Sequence, residues 1–158
     1  MKRKLLSLIV VSLCLSTSLF AQSRASGTSY RTAAGLRVDV GDGSTGVGFN
    51  VKHFFTTTGA LDASLLFFEG DVVGLEAEYE YNANIPNAPG LKWYAGLGPQ
   101  LLFGNDDTAI AIRPVVGLEY KIPNVPLNFG FDWRPMFVVS PDTDTNAGRF
   151  GLSFRYAF

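Results

Sequence analysis

The sequence predicts an all-β chain, an eight-stranded antiparallel up-and-down transmembrane β-barrel. Three observations carry that prediction. From residue 30 onward, apolar side chains recur at every second position, the period of an extended strand, and turn-forming residues interrupt the alternation regularly. One face of each segment is free of charge, while the charges gather on the other. The uncharged face carries the bulky aromatics, including both Trp, whereas Gly is interleaved with the charges. At 158 residues the chain has the size of one domain, and 47% apolar against 17% charged residues is too apolar for disorder. With 13 basic and 14 acidic residues there is no basic excess, which argues against nucleic acid as a partner. One Cys and one His exclude a disulfide framework and a Cys/His zinc site.

The first segment reads as an address. Lys2, Arg3 and Lys4 precede an apolar run from Leu5 to Leu15, then Ser16 to Ala21 and Gln22. This is the pattern of a secretory signal peptide over residues 1–21, and the run is too short to span a membrane as a helix. Cleavage is expected after Ala21, with Ala25 as the second choice. Cys14 raises a lipoprotein alternative, but Leu13 stands where a small residue is expected, so Cys14 is read as leaving with the leader. The barrel domain is then 22–158, with 10 basic against 14 acidic residues.

The predicted strands follow in order: 30–40, 47–55, 60–68, 72–81, 91–102, 109–122, 127–138 and 147–158. Their lengths suit tilted membrane strands, which need about 9–11 residues. The connections at 41–46, 56–59, 69–71, 82–90, 103–108, 123–126 and 139–146 are rich in Gly, Asp, Asn, Thr and Pro, the residues that turns require.

The charged face holds Arg31, Arg37, Asp39, Lys52, Asp62, Glu76, Glu78, Glu80, Lys92, Arg113, Glu119, Lys121, Asp132, Arg134, Arg149 and Arg155. A soluble, lipocalin-like barrel buries its apolar face, and a membrane barrel reverses the arrangement. Size decides between them. The lumen of an eight-stranded barrel is only just wide enough to be filled by side chains, and the aromatic face would overfill it. Charges mixed with Gly fit. Tyr30, Tyr156 and Phe158 are expected near the inner interface as part of an aromatic girdle. The last strand alternates Phe150, Leu152, Phe154, Tyr156 and Phe158, which resembles the C-terminal signature that outer-membrane barrels present for assembly, with Phe154, Tyr156 and Phe158 as its core. The chain as a whole resembles small barrels of the OmpA/OmpX-like superfamily, and the Leu19-Phe20-Ala21-Gln22 junction resembles those of Bacteroidetes exports. The resemblance implies an outer-membrane location with periplasmic termini. It implies no activity, because such folds host unrelated functions.

Near-balanced interior charges are expected to pair, since an unpaired buried charge costs several kcal/mol. Glu76, Glu78 and Glu80 occupy consecutive inward positions, and Lys92 and Arg155 are their expected cationic partners. The structural reading is a salt-bridge plug; the alternative is an ion or proton path through the carboxylates. The upper interior is milder. Leu66, Phe68, Leu102, Val115 and Met136 there read as packing beneath the loops or as an apolar pocket. Pro99, Pro114 and Pro135 read as outward-pointing at one level of adjacent strands. Proline cannot donate to a ladder, so they mark either the rim or a lateral gap. The outer loops carry Asp42, Glu69, Asp71, Asp106, Asp107, Asp142 and Asp144, with Asp142 and Asp144 the best local pair for a hard cation.

No enzyme is expected. His53 is the single His, set between Lys52 and Phe54; no Ser lies two residues away, and no Gly-x-Ser-x-Gly elbow occurs. A glycosidase pair among Glu76, Glu78, Glu80 and Asp132 would need a lumen open to a sugar chain. No cofactor is expected. The leading function is a structural or surface-contact role in the cell envelope, with outer-membrane lipid, lipopolysaccharide and the barrel-assembly machinery as partners and a monomeric state. The alternative is binding or transport of a small apolar molecule or lipid through the upper lumen and the lateral gap.

Overall fold

The computed structural model describes residues 29–41, 43–104 and 108–158. The leader, its cleavage sites and Cys14 lie outside the described residues, as do Asp42, Asp106 and Asp107. Ten strands run in chain order: β1 (Thr32–Gly41), β2 (Ser44–Phe54), β3 (Gly59–Phe68), β4 (Val72–Asn84), β5 (Leu91–Phe103), β6 (Thr108–Lys121), β7 (Leu127–Trp133), β8 (Met136–Ser140), β9 (Asp144–Asn146) and β10 (Phe150–Ala157). β7 and β8 are two halves of one stave, as are β9 and β10, which leaves eight staves. Each pairs antiparallel with its neighbour, β1 pairs with β10, and the sheet closes on itself.

Several boundaries differ from the sequence reading. β2 starts at Ser44, directly opposite Gly41, and β4 runs on to Asn84 opposite Lys92, because pairing with a neighbour extends a strand past its apolar pattern. Part of the predicted loop 139–146 forms β9, which pairs with β8. The stave predicted as continuous over 127–138 breaks at Arg134 and Pro135.

Tight turns close one end of the barrel. Thr56 Oγ1 accepts from the Gly59 N–H at 2.7 Å. Asn87, Gly90 and Asn124 adopt positive φ in the turns after β4 and β6. At the opposite end, Gly70 and Asp71 take consecutive positive φ values of 77° and 59°.

The polarity of the wall is inverted relative to a soluble barrel. Phe49 is 61% exposed and Tyr79 60%, whereas Arg37 is 1% exposed and Asp62 0%. Strand periodicity alone accounts for this, since alternate residues face opposite sides. Inward glycines allow the staves to approach. A Cβ on Gly35 would run into the backbone of Phe154 and Arg155, and one on Gly98 into that of Ala77 and Glu78. Tyr30 departs from the predicted girdle. It precedes β1, where the alternation no longer holds, and turns inward to 2% exposure, its ring edge-on to Phe54 at 5.2 Å.

Candidate functional site: the charged lumen

Among the described residues, seven cations and seven anions are buried, so their formal charge cancels. They stack in three tiers.

The lower tier lies at the end holding the chain terminus. Lys52 Nζ sits 2.6 Å from Glu80 and 2.9 Å from Glu119, and donates to Asn82 Oδ1 at 2.7 Å. Arg155 lies 3.5 Å from Glu119, and the Tyr30 hydroxyl donates to Glu119 at 2.8 Å. The middle tier centres on Arg37 and Arg134. Arg37 reaches Asp62 at 3.1 Å and Glu76 at 3.5 Å, and Arg134 reaches Glu76 at 3.1 Å and Asp132 at 3.3 Å and bonds directly to Glu78. In the upper tier Asp39 accepts from Arg113 at 2.5 Å and from Arg149 at 3.0 Å. Gln100 links the upper two tiers, donating to Glu76 at 3.2 Å and accepting from Arg113 at 3.1 Å. Arg155 links the lower two through Asp62 at 3.5 Å. The polar chain therefore runs unbroken from Tyr30 to Ser44, which accepts from Arg149 at 3.0 Å.

Four expected members differ from the sequence reading in position or in partner. Lys92 is buried but makes no ion pair among the described residues. Its amine lies 4.7 Å from the Phe54 ring centroid and 6.0 Å from that of Tyr30. The register explains why: Lys92 pairs with Asn84, well below Glu76, Glu78 and Glu80, which take Arg37, Arg134 and Lys52 instead. Arg155, the other expected partner of the three glutamates, pairs with Asp62 and Glu119. Lys121 is half-buried and donates to the carbonyls of Ile122 at 3.0 Å and Val125 at 2.6 Å, capping a turn rather than entering the network. Arg31 is half-buried ahead of β1, where its N–H donates to the Phe158 carbonyl at 3.3 Å.

Neutral lumen residues escaped a reading that followed charge. Asn50 and Ser64 bond to one another at 3.0 Å and flank Asp62, and the Tyr94 hydroxyl donates to Asp132 at 2.6 Å. Their strand parity is the signal that identifies them, since each shares a face with a charge two positions away.

The upper apolar set does not outline one void. Leu66 and Val115 are buried, while Phe68 packs under Arg149, its ring centroid 5.4 Å from the guanidinium carbon, and fills the space beside Gly46 and Gly74. Leu102 also borders Gly74, and Met136 is half-buried. Phe154, Tyr156 and Phe158 face outward, with Phe129–Phe154 and Tyr156–Phe158 ring contacts at 5.3 and 5.2 Å. Asp142 and Asp144 are exposed around the β8–β9 turn, and no group of three metal-ligating side chains occurs among the described residues. His53 is half-buried and meets Thr32 Oγ1 at 2.8 Å.

The three prolines act on different seams. Pro99 interrupts the β4–β5 ladder, whose pairing stops at Glu76–Gln100 and resumes at Tyr79–Leu97. The β5–β6 ladder is unbroken along its length. Val116 pairs with Trp133 and Ile112 with Phe137, and that register sets Pro114 opposite Pro135. The Arg134 N–H donates away from β6, to the Arg149 carbonyl at 3.0 Å, so the backbone nitrogen of Pro135 faces β6. Pro114 and Pro135 therefore form a hydrogen-bonding position at which neither residue has a donor. Pro135 is buried rather than exposed on the outer face, in the break between β7 and β8.

Comparison with known proteins agrees at the level of the fold. A designed transmembrane β-barrel matches with a TM-score of 0.58 and 16% sequence identity, over 84% of this chain and 99% of the other. The chain is a closed eight-stranded antiparallel barrel. No family model and no curated protein matches it.

Proposed function

We propose that this chain is a closed outer-membrane barrel with a structural or surface-contact role in the cell envelope, and that it is not an enzyme. The observation that carries this reading is the lumen. Seven buried cations and seven buried anions, all but Lys92 joined in one network, fill the path that a solute would take. The exterior supports membrane placement. Aromatic and aliphatic side chains such as Phe49, Leu97, Phe131 and Trp133 cover it, and lipid is the solvent that such a surface fits. Export through the leader at 1–21, assembly through the outward Phe154, Tyr156 and Phe158, and a monomeric state complete the proposal. Its described outer loops are short, so surface contact is with lipid headgroups and small ligands rather than with a large protein, whose interfaces take about 20–30 residues a side. Planar-bilayer recording of the purified chain tests the closed lumen. The expected result is no stable conductance, and a reproducible open channel overturns it.

A further inference from the structure

The rim opposite the chain terminus carries a strand with a single neighbour. β9 pairs with β8, and no other strand among the described residues pairs with it. β1, which closes the barrel against β10, stops at Gly41, where its backbone lies beside Gly148 and Arg149. β9 therefore stands beyond the end of β1. Its second edge presents backbone N–H and C=O groups that no strand of the barrel serves. An edge of this kind is where an extended peptide adds a strand.

Charge selects the peptide. Among the described residues the exposed charged side chains are Glu69, Asp71, Asp142 and Asp144, all acidic and all at this rim, and no Lys, Arg or His is exposed. Asp144 lies in β9 itself and Asp142 in the turn before it, while Glu69 and Asp71 lie in the β3–β4 turn. Opposite charges across a strand pair are favourable and like charges are not. The edge thus favours a strand that bears cations, and it disfavours a second copy of this chain, which would bring two acidic edges together. β9 is three residues long and offers few backbone bonds, so pairing and charge have to act together.

We propose that the free edge of β9 binds a short cationic peptide in extended form, as an added strand whose basic side chains meet Asp142 and Asp144. The proposal rests on the surface-contact reading above and names a ligand for it.

A fluorescein-labelled octapeptide of alternating Lys and Thr, titrated with the purified chain in dodecyl maltoside micelles and followed by anisotropy, is the test. The proposal expects saturable binding. The same peptide N-methylated at every residue keeps its charge and loses its backbone donors, and it should bind at least about tenfold more weakly. Asp142→Asn with Asp144→Asn, checked for folding by heat-shifted gel mobility, should weaken the parent peptide about tenfold at low salt. Absence of binding by the parent peptide overturns the proposal. Equal binding of the methylated peptide also overturns it, since ionic attraction alone would then hold the ligand, and this arm uses the unaltered chain. An unchanged affinity in the folded double variant removes the cationic selection and overturns it as well. Conductance is read separately: a silent bilayer recording with any of those results sinks the edge site and leaves the closed barrel standing, whereas an open channel with the expected binding overturns the lumen reading alone.

Discussion

Replacing Lys52 with Met removes a charge and keeps an apolar stem of similar length. Two carboxylates lose a partner, but unequally. Glu119 retains Arg155 at 3.5 Å and the Tyr30 hydroxyl at 2.8 Å, whereas Lys52 is the ion-pair partner of Glu80 among the described residues. The substitution therefore strands Glu80, which is 1% exposed. Breaking a buried pair by deleting one member costs about 3–5 kcal/mol. The comparison is Lys92→Met, also buried but without an ion pair among the described residues, where the loss is the contact with the Phe54 ring, worth about 1 kcal/mol, and a longer-range attraction to Glu119, its register partner on β6. The third arm is Lys52→Met with Glu80→Gln, which removes the stranded charge and should restore about 2 kcal/mol, within the range of couplings between touching residues. Urea unfolding in lipid vesicles, followed by Trp fluorescence, reads all three. Equal losses at Lys52 and Lys92, or no recovery in the double variant, would mean that lumen water solvates these carboxylates and that the ion pairs are not what neutralises them.

Two further predictions use the same assay. Glu78→Gln should cost about 1.5–3 kcal/mol, more than Lys92→Met, because Glu78 bonds directly to Arg134 while Lys92 makes no direct ion pair among the described residues. A larger loss at Lys92 would contradict the tiers. Gly35→Val should cost about 1–3 kcal/mol through collision with the β10 backbone at Phe154 and Arg155, and an unchanged unfolding midpoint would show that the staves have room to separate.

The barrel and its polarity were legible because both rest on the period-2 alternation, which a single strand displays without its neighbours. The lumen list was legible for the same reason: fourteen of its sixteen members are buried, and Arg31 and Lys121 depart at strand ends, where alternation gives way to turn geometry. Partner choice was not legible. Lys92 looked close to Glu78 in sequence, but the offset between β4 and β5 sets it opposite Asn84, and offsets between staves leave no mark on either strand. Tyr30 misled by continuing the alternation one step beyond the strand. The prolines signalled weakened pairing, but which ladder each one interrupts depends on the direction of its nitrogen and on the residue opposite it, neither of which a single strand displays.

The inverted polarity of the wall is the claim on which everything else stands. A nitroxide attached to single cysteines replacing Leu65, Leu97 and Phe131, with the chain folded into phosphatidylcholine vesicles, tests it by collision with oxygen, which concentrates in hydrocarbon, and with a water-soluble nickel chelate. All three positions face outward, at 37%, 56% and 52% exposure. The account predicts frequent collisions with oxygen and few with nickel at every one of them. Ready access of nickel to these positions would place the aromatic face in water and contradict a membrane barrel.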